Sequence, residues 1–215
     1  MADLIRAGII GATGYTGVTL LEVLIRHPNV ELQFATTRRP DLAEKNVYLE
    51  HPNLLDLTEL KFTLYDPARS AFSQISEAVL KRARDSDVTF ICVPSGASVN
   101  ISRDLVGYNT KLIDTSADFR LKDPGCYKEF YGRDHPCPEL LKDYVYGLPE
   151  LHRDEIRRVK YVACPGCNAT AMILAAYPLT KLDIFGNLRI SFDIMVGSSE
   201  AGAELTRGSH HPERS

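Results

Sequence analysis

The sequence predicts an α/β fold, a doubly wound parallel sheet followed by a smaller α+β lobe. Three observations predict it. The chain opens with a short apolar strand that runs into spaced glycines and then a helix, "LIRAGIIGATGYTGVTLLEVLI". Two later runs, "DVTFICV" at 87–93 and "KLIDTSADFR" at 111–120, begin as apolar strands and end in small or polar residues. Near-continuous apolar runs of this kind mark strands buried on both faces of a parallel sheet. By contrast, "NLRISFDIMV" at 187–196 alternates, with Leu188, Ile190, Phe192, Ile194 and Val196 on one face. That is the pattern of a strand with one face on a core, and it predicts a second, mainly antiparallel lobe.

The elements follow in order. Leu4 to Ile10 reads as a buried strand. Gly11, Gly14 and Gly17 then stand in a G-x-x-G-x-x-G spacing. Val18, Leu21, Leu24 and Ile25 keep helical spacing until His27-Pro28 stops it, and Val30 to Thr36 reads as a second strand. Strand, glycine turn, helix, strand is a nucleotide-binding start: the glycines let the backbone approach a pyrophosphate, which lies on the helix N-terminus. The end of the second strand selects the cofactor. Thr36, Thr37, Arg38 and Arg39 stand where an NAD site usually has an acid, and no acid occurs until Asp41. Hydroxyls and guanidinium groups fit a 2′-phosphate, so NADP is favoured. The alternative is that the arginines are solvated surface charges.

In an open parallel sheet the ligand lies at the carboxyl ends of the strands. "PSGAS" (Pro94 to Ser98), followed by a short helix, and "DTSADFR" (Asp114 to Arg120) both fall there. Asp118 and Arg120 have a structural alternative, an ion pair with each other. Lys122 to Glu150 is rich in Pro, Gly, Tyr and charge and reads as a long connection closing in "YGLPEL". This sets the expected domains at 1–150 and 151–215. Arg158 to Ala163 is a short strand leading into "CPGC".

The bulk numbers are those of a globular protein. In 215 residues, 44% are hydrophobic, 25% are charged, and the formal net charge is −3. Nothing in that balance points to nucleic acid or to a membrane surface, and no apolar run is long enough to span a bilayer. Five cysteines without a regular framework fit a reduced, cytoplasmic compartment.

The pair Cys164 and Cys167 allows several readings. A zinc site needs about four ligands, and only Cys126, His135 and Cys137 offer to complete it. A redox dithiol belongs in a small domain after an early strand. Two buried structural cysteines are the plain alternative. The remaining reading is a single nucleophile. Cys167 opens the helical run "NATAMILAAY", and a helix N-terminus favours a thiolate and offers amides to an oxyanion. Joined to an NADP site, such a thiolate implies interconversion of an aldehyde and an activated acyl group through a thioester.

"GATGYTG", "DTSADFR", "YGLPEL" and "CPGCNATA", in this order, resemble the N-acetyl-γ-glutamyl-phosphate reductases and their lysine-pathway relatives acting on aminoadipyl phosphate. The resemblance runs along essentially the whole chain. It implies a Rossmann-type NADP-binding domain followed by an α+β catalytic domain, here truncated, in a homo-dimer or homo-tetramer. By motif, Gly11, Thr13, Gly14, Tyr15, Thr16 and Gly17 would line the NADP(H) pyrophosphate, with Thr36 at the strand end and Arg38 at the 2′-phosphate. Pro94, Ser95 and Gly96 would run along the cofactor, and Ser198, in "VGSSEAG", would sit near the nicotinamide. Cys167 would be the nucleophile, with Asn168 beside the carbonyl and Ser116 and Arg120 holding the substrate's phosphate or carboxylate. No metal is implied.

Two departures matter. "GSSEAGAE" stands where arginine-type enzymes often read "GVSGAGR". With "HPNLLDLTELKF" at 51–62, it inclines the reading to lysine-type or dual enzymes, whose substrates ride on a small acidic amino-group carrier protein. Family members are also longer. Their acid/base histidine is expected beyond Ser215, His210 and His211 do not take its role, and residues 1–215 alone are expected to turn over little or not at all. An aspartate-semialdehyde dehydrogenase-like enzyme and a non-catalytic NADP-binding module are the alternatives.

Overall fold

The computed structural model describes residues 3–65, 76–182, 186 and 188–202. The chain divides into two compact units, Met1–Cys164 and Pro165–Ser215. The first is built on a seven-stranded sheet, in the order β3-β2-β1-β4-β5-β7-β6. The strands are β1 (Ile5–Ile10), β2 (Val30–Thr37), β3 (Phe62–Leu64), β4 (Val88–Ile91), β5 (Lys111–Asp114), β6 (Tyr144–Tyr146) and β7 (Tyr161–Ala163). Every pairing between them is parallel. Helices α1 (Tyr15–Ile25), α2 (Glu77–Asp85), α3 (Ser98–Leu105), α4 (Pro124–Tyr131) and α5 (Pro149–Arg158) belong to this unit, and α6 (Cys167–Ala176) to the second.

Side-chain alternation in β1 explains the two layers. Ala7 and Ile9 point to one face, where they pack with Ala35, Phe62, and Leu21 and Leu24 of α1. Ile10 points to the other, where it meets Phe34, Ile91 and Leu112 beneath α2 and α3. Burial on both faces is what parallel strands require. A third cluster, Val99, Phe119, Cys137, Leu141, Tyr144 and Ala163, seals the β6–β7 side. There the rings of Phe119 and Tyr144 stack at 4.0 Å.

Several expectations change. The expected connection at 122–150 contains α4, a 3-10 helix at Pro138–Asp143 and β6. Asp123 caps α4 by accepting from Cys126 N–H at 2.8 Å, and Gly132 ends it at φ 69°. The expected boundary at 150/151 therefore falls before β7, which is a sheet strand of the first unit. The alternating segment also differs. Leu188 to Val196 form no strand and lie exposed. A strand is stable only when its N–H and C=O groups meet a neighbour, and none of the described residues supplies one.

Gly8 marks a tight point. β1 shifts register against β2 between Ala7 and Gly8, and a methyl group added at Gly8 would overlap the Phe34 ring. Gly8→Ala is expected to destabilise the first unit by about 1–3 kcal/mol through overpacking. Urea unfolding measures it, and an unchanged midpoint would contradict this packing.

Candidate functional site

The sheet order reverses at β1, which has β2 on one side and β4 on the other. Such a reversal opens a crevice at the carboxyl ends of the strands, flanked here by the turn after β1 and the loop after β4. The turn is tied down by β2. Gly11 N–H donates to Thr36 Oγ1 at 3.0 Å, and Ala12 N–H to Thr36 O at 2.9 Å. His51 Nε2 lies 3.0 Å from Ala12 O and is buried with it. Thr36 is fully buried. Its hydroxyl accepts from the turn. His51 is a turn-holding residue that sequence reasoning assigned to a substrate-type signature alone.

The glycines divide the work. Gly11 adopts φ +91°, where side chains other than glycine are strained. At Gly17 an added Cβ would lie 2.6 Å from Gly11 O and from Ala12 Cα, so α1 rests directly on the turn. Gly14 is the N-cap of α1 and faces open space. Thr13 is half-buried, and Tyr15 and Thr16 are exposed in the first turn. The first N–H groups of a helix have no partner within it, so this end suits an anion.

The two arginines separate. Arg39 binds Asp41 at 2.7 Å and Glu50 at 2.6 Å, and its hydrogen bond to Asp41 raises its pKa further. Arg38 is exposed, and no described carboxylate takes its guanidinium in a salt bridge. Of the pair, Arg38 is the one available to a ligand.

Behind the loop after β4 lies a buried polar cluster. Both carboxylate oxygens of Asp118 accept from Gly96 N–H, at 2.8 and 2.6 Å. Ser98 Oγ stands within 2.8 Å of Asp118, 3.0 Å of Asp114 and 2.7 Å of Ser116. Gly96 takes φ +94°, with the Arg133 guanidinium packed over it. Pro94 and Ser95 are exposed beside it, and Ser95 Oγ accepts from Ala117 N–H at 3.2 Å. Ser116 is buried, and its hydroxyl points into this cluster. Arg120 forms no ion pair with Asp118. Its Nε donates to Cys164 O at 2.7 Å and its Nη2 to Thr115 O at 2.9 Å, joining the ends of β5 and β7.

In the second unit, Gly166 is the N-cap of α6 and Cys167 its first residue. The Cys167 thiol is exposed, 3.8 Å from Asn168 Oδ1 and 4.0 Å from Glu200 Oε1. Asn168 Nδ2 donates to Glu200 Oε1 at 2.7 Å. Glu200, missed by sequence reasoning, belongs to the 3-10 turn Ser198–Ala201, whose first residue is Ser198. His210 and His211 lie outside the described residues. All five cysteines are free thiols, and among the described residues no three His, Cys, Asp or Glu side chains converge as metal ligands. No described helix is long and apolar enough to cross a membrane.

The cysteines differ in environment. Burial pushes the Cys92 thiol up to about 12 and Cys164 to about 11. Exposed Cys126 is also raised, mainly by its hydrogen bond with Asp123. Iodoacetamide is therefore expected to label Cys167 first, Cys126 more slowly, and Cys92, Cys137 and Cys164 only on unfolding. Peptide mass spectrometry reads the order, and Cys164 labelling as fast as Cys167 would contradict it. Burial also pushes Asp114 up to about 6. The ordinary carboxyl value is about 3.9, so the stability gained by this acid form is complete below about 4 and is lost as pH rises through the folded value. Asp114→Asn is expected to gain stability relative to the wild type across that window, measured by urea unfolding at a series of pH values.

Comparison with known proteins agrees with this geometry. Residues 6–159 match the family "Semialdehyde dehydrogenase, NAD binding domain", and residues 167–215 match "Semialdehyde dehydrogenase, dimerisation domain". The chain is 43% identical over 214 residues to a protein of Saccharolobus solfataricus named [LysW]-L-2-aminoadipate/[LysW]-L-glutamate phosphate reductase, matching 100% of this chain and 57% of that protein. It is 45% identical over 212 residues to a protein of Methanopyrus kandleri named N-acetyl-gamma-glutamyl-phosphate reductase, 98% of this chain and 57% of that one. It thus spans a little over half the length of these relatives. Among solved structures, aspartate semialdehyde dehydrogenase II of Vibrio cholerae superposes with a TM-score of 0.54 at 19% identity, over 82% of this chain and 46% of the other, a likeness of fold alone. With an NAD binding domain over most of its length and a dimerisation domain after it, the chain belongs to the semialdehyde dehydrogenase family.

Proposed function

We propose that the chain carries the NADP(H)-binding domain and the nucleophile of an acyl-phosphate reductase in arginine or lysine biosynthesis. The observation that carries this reading is an exposed cysteine thiol at the first position of α6, in a chain whose other unit is an NAD binding domain. The pyrophosphate would lie on the first turn of α1, against the open face of Gly14. Arg38 would meet the 2′-phosphate, and Pro94, Ser95 and Gly96 would line the cofactor. The open space at Gly14 supports room for such a ligand there.

The chemistry follows from the thiol. Cys167 as thiolate attacks the carbonyl of a γ-glutamyl or δ-aminoadipyl phosphate. The C–O bond to phosphate breaks, a C–S thioester forms, and the leaving phosphate takes a proton. Free N–H groups at the start of α6 stabilise the oxyanion, and Asn168 orients the carbonyl. Bound NADPH supplies a hydride to the thioester carbon. Collapse of the thiohemiacetal releases the semialdehyde and restores the thiolate. The names of the relatives support a substrate whose amino group is blocked, either by acetyl or by a small carrier protein, and the family's dimerisation domain supports a homo-oligomer.

The experiment is intact-mass spectrometry of the chain after incubation with the acyl phosphate, in parallel with NADPH titration. The wild type is expected to gain one acyl group on Cys167 and to bind NADPH. Cys167→Ala is expected to bind NADPH and gain no mass. A chain that binds NADPH but is never acylated would be the non-catalytic module instead. Arg38→Ala is expected to weaken NADPH by about 10–100-fold, the scale of a hydrogen bond to a charged group, with little change for NADH.

A further inference from the structure

The polar cluster behind the 94–97 loop is short of hydrogen. Four oxygen-to-oxygen contacts run through it: Asp114 Oδ2 to Ser98 Oγ at 3.0 Å, Asp114 Oδ2 to Ser116 Oγ at 2.9 Å, Ser98 Oγ to Ser116 Oγ at 2.7 Å, and Ser98 Oγ to Asp118 Oδ2 at 2.8 Å. The other bonds bring their own hydrogens, from the N–H groups of Ser116, Asp118 and Gly96 and the O–H of Tyr127. Each serine hydroxyl carries one hydrogen. With both carboxylates ionised, two of the four contacts would be bare oxygen against oxygen. Ser98, Asp114 and Asp118 are 0% exposed and Ser116 6%, so bulk water does not relieve them.

Charge balance argues the same way. Arg133, 3.6 Å from Asp118 Oδ1, is the one cation in salt-bridge contact with either carboxylate among the described residues. His135 also faces Asp118, but burial lowers its pKa and keeps it neutral. Tyr127 adds a neutral hydroxyl on that side. On the Asp114 side stand Cys92, Cys164 and Tyr144, all held neutral by burial. One contacting cation matches one negative charge. Two carboxylates in one dry enclosure disfavour double ionisation.

We propose that Asp114 and Asp118 hold a single proton between them, relayed through Ser98, and that the remaining charge on Asp118 fixes the 94–97 loop through Gly96 N–H. Asp114 O–H donates to Ser98 Oγ, Ser98 O–H to Asp118 Oδ2 and Ser116 O–H to Ser98 Oγ, so three of the four contacts carry a hydrogen and the Asp114–Ser116 contact of 2.9 Å is the one without. Asp118 is left to accept Gly96 N–H, on the side where Arg133 lies. Asp118 is thus a positioning residue, acting through the backbone of a loop that the proposed function places along the cofactor. Its importance for NADPH rests on that reading. The upward shift of Asp114 by burial accords with the relay.

The experiment combines three measurements on the whole chain. Carboxyl ¹³C NMR of aspartate-labelled protein, assigned with Asp114→Asn, is expected to show Asp114 titrating far above the ordinary carboxyl range. Titration in that ordinary range would overturn the proposal, and this measurement on the wild type depends on no variant folding. Amide hydrogen exchange is expected to find Gly96 N–H protected in the wild type. Asp114→Asn, whose side-chain N–H stands where the acid O–H was, should keep that protection. Asp118→Ala, which removes the acceptor of Gly96 N–H, should lose it at least tenfold, and Ser98→Ala should also reduce it. Equal protection in all four proteins would overturn the proposal. NADPH affinity is the third readout, expected to fall about tenfold in Asp118→Ala and little in Asp114→Asn. A purely structural Asp118 would lower the melting temperature without moving NADPH affinity well below it. A wild type that binds no NADPH would count against the proposed function, while the NMR and exchange results would still decide the relay.

Discussion

β1 is paired on one side with β2 and on the other with β4, and both neighbours run parallel to it. That placement of one central strand governs the rest of the first unit. Parallel pairing sends each connection back across a face of the sheet, so both faces must be covered and the strands must be apolar on both. It also brings the ends of β1, β2, β4 and β5 to one edge. The loops that leave them become neighbours although they are far apart in the chain. Thr36 meets Gly11 across 25 positions, Ser98 meets Asp118 across 20, and Arg120 meets Cys164 across 44.

These loops are held by polar side chains and not by further strands. A loop at the end of a sheet leaves backbone groups without sheet partners, and buried ones must be satisfied some other way. Thr36 and His51 do this for the glycine turn, and Asp118 does it for Gly96. Arg120 does it for the carbonyls of Thr115 and Cys164. The result is a crevice whose floor is hydrogen-bonded and whose rim has Tyr15, Thr16, Pro94 and Ser95 exposed and open space at Gly14.

Much of this was legible in the sequence where local chemistry decides. The glycine spacing and the apolar run of β1 predicted the first strand–turn–helix unit because backbone conformation and burial act within a few residues. The position of Cys167 at a helix start was legible for the same reason. Two signals went unread. Asp123-Pro124 and Gly132 are helix start and stop residues that mark α4, hidden among prolines and tyrosines that suggested a connection. β3 and β6 have three residues each, too few to show a period.

The sequence by itself determined the strand–glycine–helix opening, the buried character of β1, β4 and β5, and the presence of one thiol at the start of α6. Only the tertiary structure decided which polar residues face outward and which face inward. Thr36 and Ser116 are polar residues next to cofactor-binding motifs, and sequence cannot tell a hydroxyl that meets a ligand from one that satisfies a buried N–H or carboxylate. Arg38 and Arg39 are adjacent and chemically identical, yet Asp41 and Glu50 occupy only the second. The alternation of 188–196 stated which side chains share a face, but a strand exists only where another strand stands beside it. Hydrogen-bond partners are chosen by distance in space, and distance in space is what one-dimensional pattern does not carry.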